Sequence, residues 1–504
     1  MNALQKLQSF LFLQKTVFII AIGVFIALSV GSSLTHRPQI DEGMFASPAY
    51  NLAENGFYGT TVLETEKSSL TRIEQRTYWV LPLFLLNVTV SFKIFGFSLF
   101  SMRLVSIFWG LILLISVFFI VKKLSDDKFT GLLALILLAG DYVVLETASS
   151  GRMDMMSAAL GFAAIAVYLF WRERNLLLAI LLSQTLITAD GLTHPNAIAA
   201  FIGLIFLTFY FDFRRLNWRH LLVFLIPYLI GGIGFGIFIL QDPTAFKDQF
   251  IDNALMGGRM SGFSSPLQNI IREFTEKYPH AFGLQGNSSG HSGPIYLKSL
   301  ILIGYVIGLF GVLLVKELRS NRNYLALLIL TAIYFFVIAI IDGQKQTPYL
   351  IHIIPLYIMF LAIFLRWIQQ KMRVSDIVLI AVTTMFVIVP AGGMAVRIRQ
   401  NTYKNFYQPT IDFLKSNAGE NDTIMGGAEL GFGLNFARNH IADGRFGYYT
   451  HKKPRFIVYD SAVENSWEGS KTLFPEFYEY FPRLLNEEYR VAYENDAFKV
   501  YERR

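Results

Sequence analysis

Apolar residues along the 504-residue chain fall into long runs that polar segments separate. A membrane-spanning helix needs about 20 predominantly apolar residues. Runs near that length predict eleven transmembrane helices, at residues 17–34, 98–121, 129–146, 154–171, 176–190, 196–211, 220–240, 295–315, 323–341, 348–365 and 374–392. The first is interpreted as an uncleaved span, because no small-residue cleavage site precedes Asp41. The fold class is therefore predicted to be a polytopic α-helical membrane protein.

The stretch at residues 79–97 is also apolar, but it contains Pro82 and Lys93 among several polar residues. The positive-inside rule decides whether it spans. If it does not span and the N-terminus is inside, Lys and Arg concentrate on the cytoplasmic flanks, whereas the short outer loops contain only Arg152 and Lys345. Counting it as a span would distribute Lys and Arg over the loops on both sides of the membrane. It is therefore predicted to be a juxtamembrane piece of the first outer loop, and the C-terminus is predicted to lie outside.

The last part of the chain is soluble in character. Residues 1–396 are assigned to the transmembrane domain, and residues 397–504 are predicted to form a small extracytoplasmic α/β domain. P-T-I-D-F-L-K-S-N predicts a helix, P-R-F-I-V-Y-D a buried strand, and the stretch around Asn495-Asp496 a hairpin. G-G-A-E-L-G-F-G-L lacks the order of glycines that a dinucleotide site needs, so it predicts turn and strand.

Composition supports the membrane assignment. Hydrophobic residues make up 53% of the chain and charged residues 16%, with a mean hydropathy of +0.44. The net charge of +7 does not indicate nucleic-acid binding, because most Lys and Arg residues flank apolar runs. Cysteine is absent, which excludes a disulfide framework, a thiolate nucleophile and a Cys-ligated metal.

Polar side chains that hydropathy does not explain collect at the predicted outer boundary of the membrane. They are Asp41, Glu42, Glu74, Arg76, Arg152, Asp154, His194, His280, His291, Lys345 and His352. Most have a structural explanation: helix capping for Asp41, Glu42, Asp154 and His194, an interfacial anchor for Arg152, exposure in a loop for His280 and His291, and snorkelling for Lys345. Ionisable residues at such depths are costly and tend to be functional. Their shared location on one face indicates a site.

Several short motifs occur in an order that resembles a known family. They are D-E-G-M-F-A-S-P-A-Y-N-L-A-E-N-G, I-E-Q-R-T-Y-W-V-L-P-L, I-F-G-F-S-L-F-S-M-R-L-V-S, A-S-S-G-R-M-D-M-M, G-H-S-G-P-I-Y-L and K-Q-T-P-Y-L-I-H-I-I-P-L. Their order and the predicted topology resemble the GT-C glycosyltransferases, in the bacterial branch related to protein O-mannosyltransferases and to the lipid A aminoarabinose transferase. The resemblance covers most of the membrane part.

The resemblance implies an inverting glycosyltransferase that moves a sugar from a polyprenyl phosphate to a lipid, glycan or protein acceptor. The reaction would take place at the periplasmic or exterior face of the cell inner membrane. Asp41 is expected to be the general base, because a carboxylate at the interface can take the acceptor proton. Glu42 is expected to orient Asp41, cap its helix or help bind the acceptor, since adjacent helical residues point about 100° apart.

The leaving phosphate needs positive charge. Lys345 is the first candidate, with Tyr349 one helical turn along, and Arg152 and Arg76 follow. By motif position, the resemblance also implies that Glu74 and His291 bind a divalent metal such as Zn, Mn or Mg.

The chain departs from the aminoarabinose branch at two places. Met44 stands where that branch carries Arg, and Gln75-Arg76-Thr77 stands where it has Lys-Pro-Pro. These departures leave the lipid A substrate and the metal open.

Two other functions fit parts of the pattern. A transporter or flippase would place charges near the bilayer midplane, whereas the polar residues here crowd one face. An oligosaccharide ligase would be expected to use a large outer loop rich in Arg and His. The loop at 241–294 contains only Arg259, Arg272, His280 and His291 of these types.

Overall fold

The computed structural model describes residues 3–285, 296–460 and 475–504, and most of them are helical. The helices of the first half are α1 (Ala3–Thr35), α2 (Ile40–Glu54), α3 (Pro82–Phe95), α4 (Leu99–Ser125), α5 (Lys128–Ala139), α6 (Tyr142–Ala148), α7 (Met153–Trp171), α8 (Leu176–Gly191), α9 (Ala197–Asp212) and α10 (Trp218–Ile239). A 3₁₀ turn at Phe213–Arg215 joins the last two.

Short helices fill the long segment that follows α10. They are α11 (Pro243–Phe246), α12 (Asn253–Met256), α13 (Ser261–Ser264), α14 (Pro266–Arg272) and α15 (Tyr278–Ala281), with π-helical turns at Lys247–Asp252 and Glu273–Lys277. The second half contains α16 (Tyr296–Leu314), α17 (Lys316–Arg319), α18 (Arg322–Ile341), α19 (Ile354–Lys371), α20 (Asp376–Gln400), α21 (Gln408–Asn417), α22 (Gly431–Leu434) and α23 (Pro475–Glu488). A 3₁₀ helix at Thr347–His352 precedes α19.

Eight of the described helices are long and apolar enough to cross a membrane, and α5 with α6 makes a ninth candidate as one span bent by 62°. The other two predicted spans coincide with α8 and α19. α8 has only 16 residues, and α19 ends in the polar run R-W-I-Q-Q-K. The chain is a multi-pass membrane protein; the count of eleven crossings and the orientation remain predictions.

Side-chain polarity sets where several of these helices begin. Ser98 caps α4 by accepting from the Ser101 amide at 3.0 Å, and Asp127 caps α5 through the Phe129 amide at 3.0 Å. Asp141 caps α6 through the Val144 amide at 3.1 Å, and so α6 restarts at the bend after Gly140. Small residues then let helices approach: a Cβ on Gly308 of α16 would lie 2.5 Å from the Leu361 backbone of α19.

The segment between α1 and α4 contains two helices that are too short to cross a membrane. α3 covers most of the stretch at 79–97 and has 14 residues, which is about 21 Å of helix against a hydrocarbon core of about 30 Å. Its side chains Val90, Ile94 and Phe95 are exposed. A short helix with one apolar exposed side fits the predicted juxtamembrane position.

The C-terminal part forms a five-stranded sheet, as the α/β prediction requires. Its strands are β1 (Ile424–Gly426), β2 (His440–Ala442), β3 (Phe456–Asp460), β4 (Tyr489–Glu494) and β5 (Phe498–Arg503). The order is β2-β1-β3-β5-β4. β1 pairs in parallel with β2 and β3, whereas β5 pairs antiparallel with β3 and β4.

The local predictions for this domain are mostly confirmed. The predicted helix is α21, the predicted buried strand is β3, and the predicted hairpin is β4–β5. The prediction of turn and strand for the Gly-rich stretch is wrong after Gly427, because a 3₁₀ turn at Ala428–Leu430 and α22 follow β1. The proposed boundary at 396/397 falls within α20, which continues to Gln400.

Candidate active site

The acid pair lies in the first turn of α2. The amide of Gln39, just before the helix, donates to Glu42 Oε2 at 2.9 Å. Glu42 is fully buried, whereas the side chain of Asp41 is 48% exposed. Two adjacent carboxylates therefore occupy different environments, as expected for neighbours that point about 100° apart on a helix.

Glu42 is held by a buried arginine of α4. Arg103 donates from Nε to Oε1 and from Nη2 to Oε2, both at 2.7 Å, and both side chains are fully buried. The Gly151 amide donates to Oε1 at 2.6 Å. The remaining guanidinium protons reach the carbonyls of Ser33 at 2.8 Å and Arg37 at 3.2 Å. The carboxylate and the guanidinium are thus satisfied by protein groups alone.

This arrangement keeps Glu42 ionised and leaves it no access to a substrate. Burial alone would raise the pKa of Glu42, but the charge of Arg103 and hydrogen bonds from Arg103 and Gly151 lower it below its ordinary value. A catalytic role for Glu42 is therefore corrected to a structural one: it joins α2, α4 and the loop before α7. This agrees with the expected capping of α2, since the Glu42 carboxylate accepts from the Gln39 amide, and not with acceptor binding.

Asp41 faces a second arginine at the loop between α6 and α7. Arg152 Nη1 contacts Asp41 Oδ2 in a short ion pair. Arg152 Nε donates to Asp154 Oδ2 at 2.9 Å. Asp154 is fully buried, and the side chain of Arg152 is mostly buried. Arg152 thus bridges the half-exposed acid to a buried one.

His194 extends this cluster from the loop between α8 and α9. Its Nε2 lies 4.0 Å from Asp154 Oδ1, and the Asn196 amide donates to its Nδ1 at 3.0 Å. Because Nδ1 accepts, the proton of the neutral ring lies on Nε2. Burial lowers the pKa of His194 to about 4, with Asp154 opposing and Arg152 adding to the effect. The ring is neutral at pH 7.

The 3₁₀ helix before α19 completes the cluster. The ring of Tyr349 meets that of His194 edge to face, with centroids 5.0 Å apart. His352 is buried with its ring centroid 6.1 Å from that of His194, and its Nε2 has no described hydrogen-bond partner. The structure thus brings together, from segments far apart in sequence, Asp41, Arg152, Asp154, His194, Tyr349 and His352.

Lys345 is not available to bind a phosphate, which corrects the first candidate for that role. Its side chain is 3% exposed, and Nζ donates at 2.8 Å to both Glu273 Oε1 and the Ala339 carbonyl. Lys277 lies in the same cluster, 2.8 Å from Asp342 Oδ2. Burial lowers the pKa of Lys345, although Glu273 opposes this. We name Glu273, Lys277, Asp342 and Lys345 the charged quartet.

Arg259 is a cation that sequence reasoning did not assign to the site. It follows α12 in the long segment after α10, and it is exposed. The Gly343 amide donates to its carbonyl at 3.3 Å, and its charge acts on both His194 and Tyr349. Among the described residues its guanidinium has no ion pair. Its position in a loop gave no sequence signal, because contact with the site depends on how the segment folds back.

The other predicted site residues lie apart from this cluster. Arg76 is half-buried against Phe238, with its guanidinium 6.0 Å from the ring centroid. Glu74 is exposed, and its Oε1 accepts from the side-chain Nε2 of Gln75 at 3.5 Å. His280 is exposed on α15. His291 lies outside the described residues. In the described part of the chain, no group of three or more His, Asp or Glu side chains could hold a metal ion.

Arg103 is a buried charged residue for which the sequence pattern predicted no role. It is a lone arginine near the start of an otherwise apolar span, and such residues are usually paired inside the protein. That signal was readable, but its partner Glu42 is 61 positions away.

Comparison with known proteins shows the fold. No protein-family model matches the chain, and no curated protein matches it. The solved structure of ArnT from Cupriavidus metallidurans in the apo state is similar, with a TM-score of 0.63 and 13% identity over 97% of this chain and 98% of that chain. The same protein bound to undecaprenyl phosphate gives a TM-score of 0.59, with 13% identity over 99% and 98% of the two chains.

An oligosaccharyltransferase from Archaeoglobus fulgidus is similar as well. Its structure tethered to an acceptor peptide gives a TM-score of 0.58 and 13% identity, over 98% of this chain and 74% of that chain. The chain therefore has the fold of these two solved proteins over nearly its whole length, and this is the fold that the order of motifs indicated.

Proposed function

We propose that the protein is a glycosyltransferase that moves a sugar from a polyprenyl phosphate to an acceptor at the outer face of the cell membrane. The observation that carries the proposal is the position of Asp41. It is the half-exposed carboxylate of the cluster, at the start of α2, beside Arg152. The acceptor is a lipid, a glycan or a protein with a free hydroxyl or amine.

The similar structures support this choice of substrates. ArnT was solved bound to undecaprenyl phosphate. The archaeal enzyme was solved with an acceptor peptide and, separately, with an inhibitory peptide and a dolichol phosphate. Long isoprenoid phosphates need a protein with an apolar, lipid-facing surface, and the described helices provide one: α10 exposes Leu229, Ile230 and Ile233.

The proposed reaction is a single displacement with inversion. The acceptor oxygen or nitrogen forms a bond to the anomeric carbon while the bond from that carbon to the phosphate oxygen breaks. Asp41 takes the acceptor proton, and the electron pair of the broken bond leaves with the lipid phosphate. No covalent enzyme intermediate is needed, and so the cluster needs no nucleophile.

Arg152 has a double role in this proposal. It holds Asp41 in the unliganded protein, and its other side is paired with buried Asp154. The guanidinium therefore stays compensated when it turns from Asp41 to an incoming phosphate. The other candidate ligands for that phosphate are Tyr349 and exposed Arg259, whose charge acts on Tyr349. Positive charge fixed near a leaving phosphate stabilises the transition state.

The resemblance implies a divalent metal bound by Glu74 and His291, but the proposed mechanism does not require it. An archaeal neighbour was solved with Zn and sulfate. Of the predicted pair, the described residues include only Glu74, which is exposed and apart from the Asp41 cluster. Two protein ligands would make an incomplete shell for Zn²⁺.

A transporter or flippase is the second candidate, and one observation favours it. The α5–α6 pair is a broken span bent by 62°, and Asp141 at the break pairs with Tyr305 of α16. Broken helices with polar groups are typical of transporters.

The test uses purified protein in lipid nanodiscs. A panel of radiolabelled polyprenyl-phosphate sugars is supplied with envelope lipids and glycans as acceptors, with and without a chelator. We expect label to pass from one donor to an acceptor; loss of transfer with chelator would establish the metal. Absence of transfer from every donor, together with flux of label across a sealed vesicle membrane, would replace the proposal by the transporter.

A further inference from the structure

The C-terminal domain contacts the chain on both sides of Asp41. Before the helix, Arg37 donates from Nη1 to Asp460 Oδ2 of β3 at 2.7 Å, and its guanidinium lies 5.0 Å from the ring centroid of Phe498 of β5. The backbone amide of Arg37 donates to Thr402 Oγ1 at 3.0 Å. The entry into α2 is thus fixed by the sheet of the C-terminal domain and by the segment that leads into it.

The second contact lies two residues after Asp41 and is made by backbone alone. A Cβ on Gly43 would lie 2.2 Å from the carbonyl carbon and oxygen of Ala428 and 2.4 Å from the Glu429 nitrogen. These distances are far inside ordinary contact, so glycine is the residue that fits. The first turn of α2 rests directly on the 3₁₀ turn at Ala428–Leu430.

That turn is itself anchored. Tyr407, which precedes α21, donates from its hydroxyl to the Glu429 carbonyl at 2.7 Å and accepts from the Gly433 amide at 3.0 Å. Tyr407 and the Glu429 side chain are both 1% exposed. The turn therefore cannot retreat from α2 without breaking buried hydrogen bonds, which are costly to leave unmade.

The membrane domain holds the same turn of helix from the other side. Glu42 is fixed by Arg103 and Gly151, and Arg103 also donates to the Arg37 carbonyl. The first turn of α2 is thus held between two domains. Asp41 is the acid of that turn whose carboxylate remains half exposed.

We propose that the C-terminal domain positions Asp41 for proton transfer, through Arg37 and Gly43 as positioning residues. The inference rests on the proposed function and extends it, because it gives the soluble domain a part in the chemical step. A misplacement of about 1 Å at a reacting group can cost on the order of 100-fold in rate. Acceptor binding by the same domain is the competing outcome.

The test compares variants at the two contacts with a matched control. Gly43→Ala places a methyl against the turn, Arg37→Gln removes the ion pair, and Arg37→Lys keeps a charge for Asp460. Lys453→Gln is the control, since it removes an exposed ion pair with Glu488 in the same domain, at 2.6 Å. The readouts are kcat and KM for transfer, and amide hydrogen exchange of residues 38–46.

We expect Gly43→Ala and Arg37→Gln to lower kcat by about 10- to 100-fold with KM nearly unchanged, and to speed exchange in α2. Arg37→Lys should recover part of the loss, and Lys453→Gln should match the wild type. A rise in acceptor KM at constant kcat, or exchange equal to the control, would overturn the proposal. Lack of transfer by the wild type would instead count against the proposed function, and exchange would still decide whether the domain holds α2.

Discussion

Asp41 and Glu42 illustrate how two identical chemical groups acquire different roles from one helical turn. Glu42 points into the protein and meets Arg103, while Asp41 points to the site and meets Arg152. Breaking a buried ion pair by removing one partner leaves an uncompensated charge, which is far costlier than losing an exposed pair. Replacing each carboxylate by its amide should therefore have different effects at the two positions: a loss of stability at Glu42 and a loss of activity at Asp41.

Glu42→Gln should destabilise the fold. The substitution leaves Arg103 buried without its carboxylate, and we expect the free energy of unfolding to fall by about 3–5 kcal/mol. Thermal or denaturant unfolding of the purified protein measures it. Lys123→Gln, which removes an exposed pair with Glu173 at 2.8 Å, should change stability by less than about 1 kcal/mol. Equal effects of the two would contradict the buried clamp.

His194 should make stability depend on pH. Its pKa is about 4 in the folded protein against an ordinary value of 6.5. Between these values the unfolded chain binds more protons, so stability is full above pH 6.5 and falls as the pH drops toward 4. His194→Gln should weaken the dependence of the free energy of unfolding on pH between pH 4 and 6.5. The same substitution at exposed His280 should not. An unchanged slope in His194→Gln would mean that the ring is not buried neutral.

At the scale of elements, the long segment after α10 is fixed by buried charge. The charged quartet joins the π-helical turn at Glu273–Lys277 to the end of α18. Arg259 is carried by the same segment, and its charge acts on His194 and Tyr349 of the site. The segment therefore provides both an anchor and a candidate phosphate ligand, and the two can be separated by mutation.

Lys345→Gln and Arg259→Gln should affect different properties, stability in the first case and donor binding in the second. We expect Lys345→Gln to lower stability, because Glu273 loses a buried partner at 2.8 Å. Arg259→Gln should leave unfolding unchanged and raise the donor KM by about 10- to 100-fold, the usual worth of a charge-assisted hydrogen bond of about 1.5–3 kcal/mol. Donor titrations and unfolding curves decide this; a KM effect confined to Lys345→Gln would restore the original assignment of that lysine.

The sequence was most informative where local pattern alone determines an element. Periodicity and turn residues gave α21, β3 and the β4–β5 hairpin correctly. It failed at the Gly-rich stretch, where the packing of Gly43 on Ala428–Leu430 favours a tight 3₁₀ turn over a strand. The bend between α5 and α6 was missed as well, although Gly140-Asp141 is a break followed by a cap.

For the whole molecule, contacts distant in sequence decided which candidate residues meet. Asp41 and Arg152 are 111 positions apart, and Arg37 and Asp460 are 423 apart. The sequence predicted that Asp41, Asp154 and His194 share one boundary of the membrane, and this is consistent with their clustering near Tyr349. Hydropathy could not predict the burial of Lys345, the role of Arg103 or the position of Arg259, because each depends on residues that are distant in sequence.

The predicted orientation can be tested because the chain contains no cysteine. A single cysteine at Glu420, which is exposed in the C-terminal domain, should react with a membrane-impermeant maleimide on intact spheroplasts. One at Arg319, exposed between α16 and α18, should react only after permeabilisation. The reverse pattern would invert the topology and place the Asp41 cluster inside.

The most direct test of the central claim is the rate of sugar transfer by Asp41→Asn in nanodiscs with the working donor. The matched control is Glu54→Gln, an exposed acid at the other end of α2. We expect the Asp41 variant to unfold like the wild type and to lose about 100-fold or more in kcat, while the control retains full activity. Transfer by Asp41→Asn at the wild-type rate would contradict the account, because the base would then lie elsewhere.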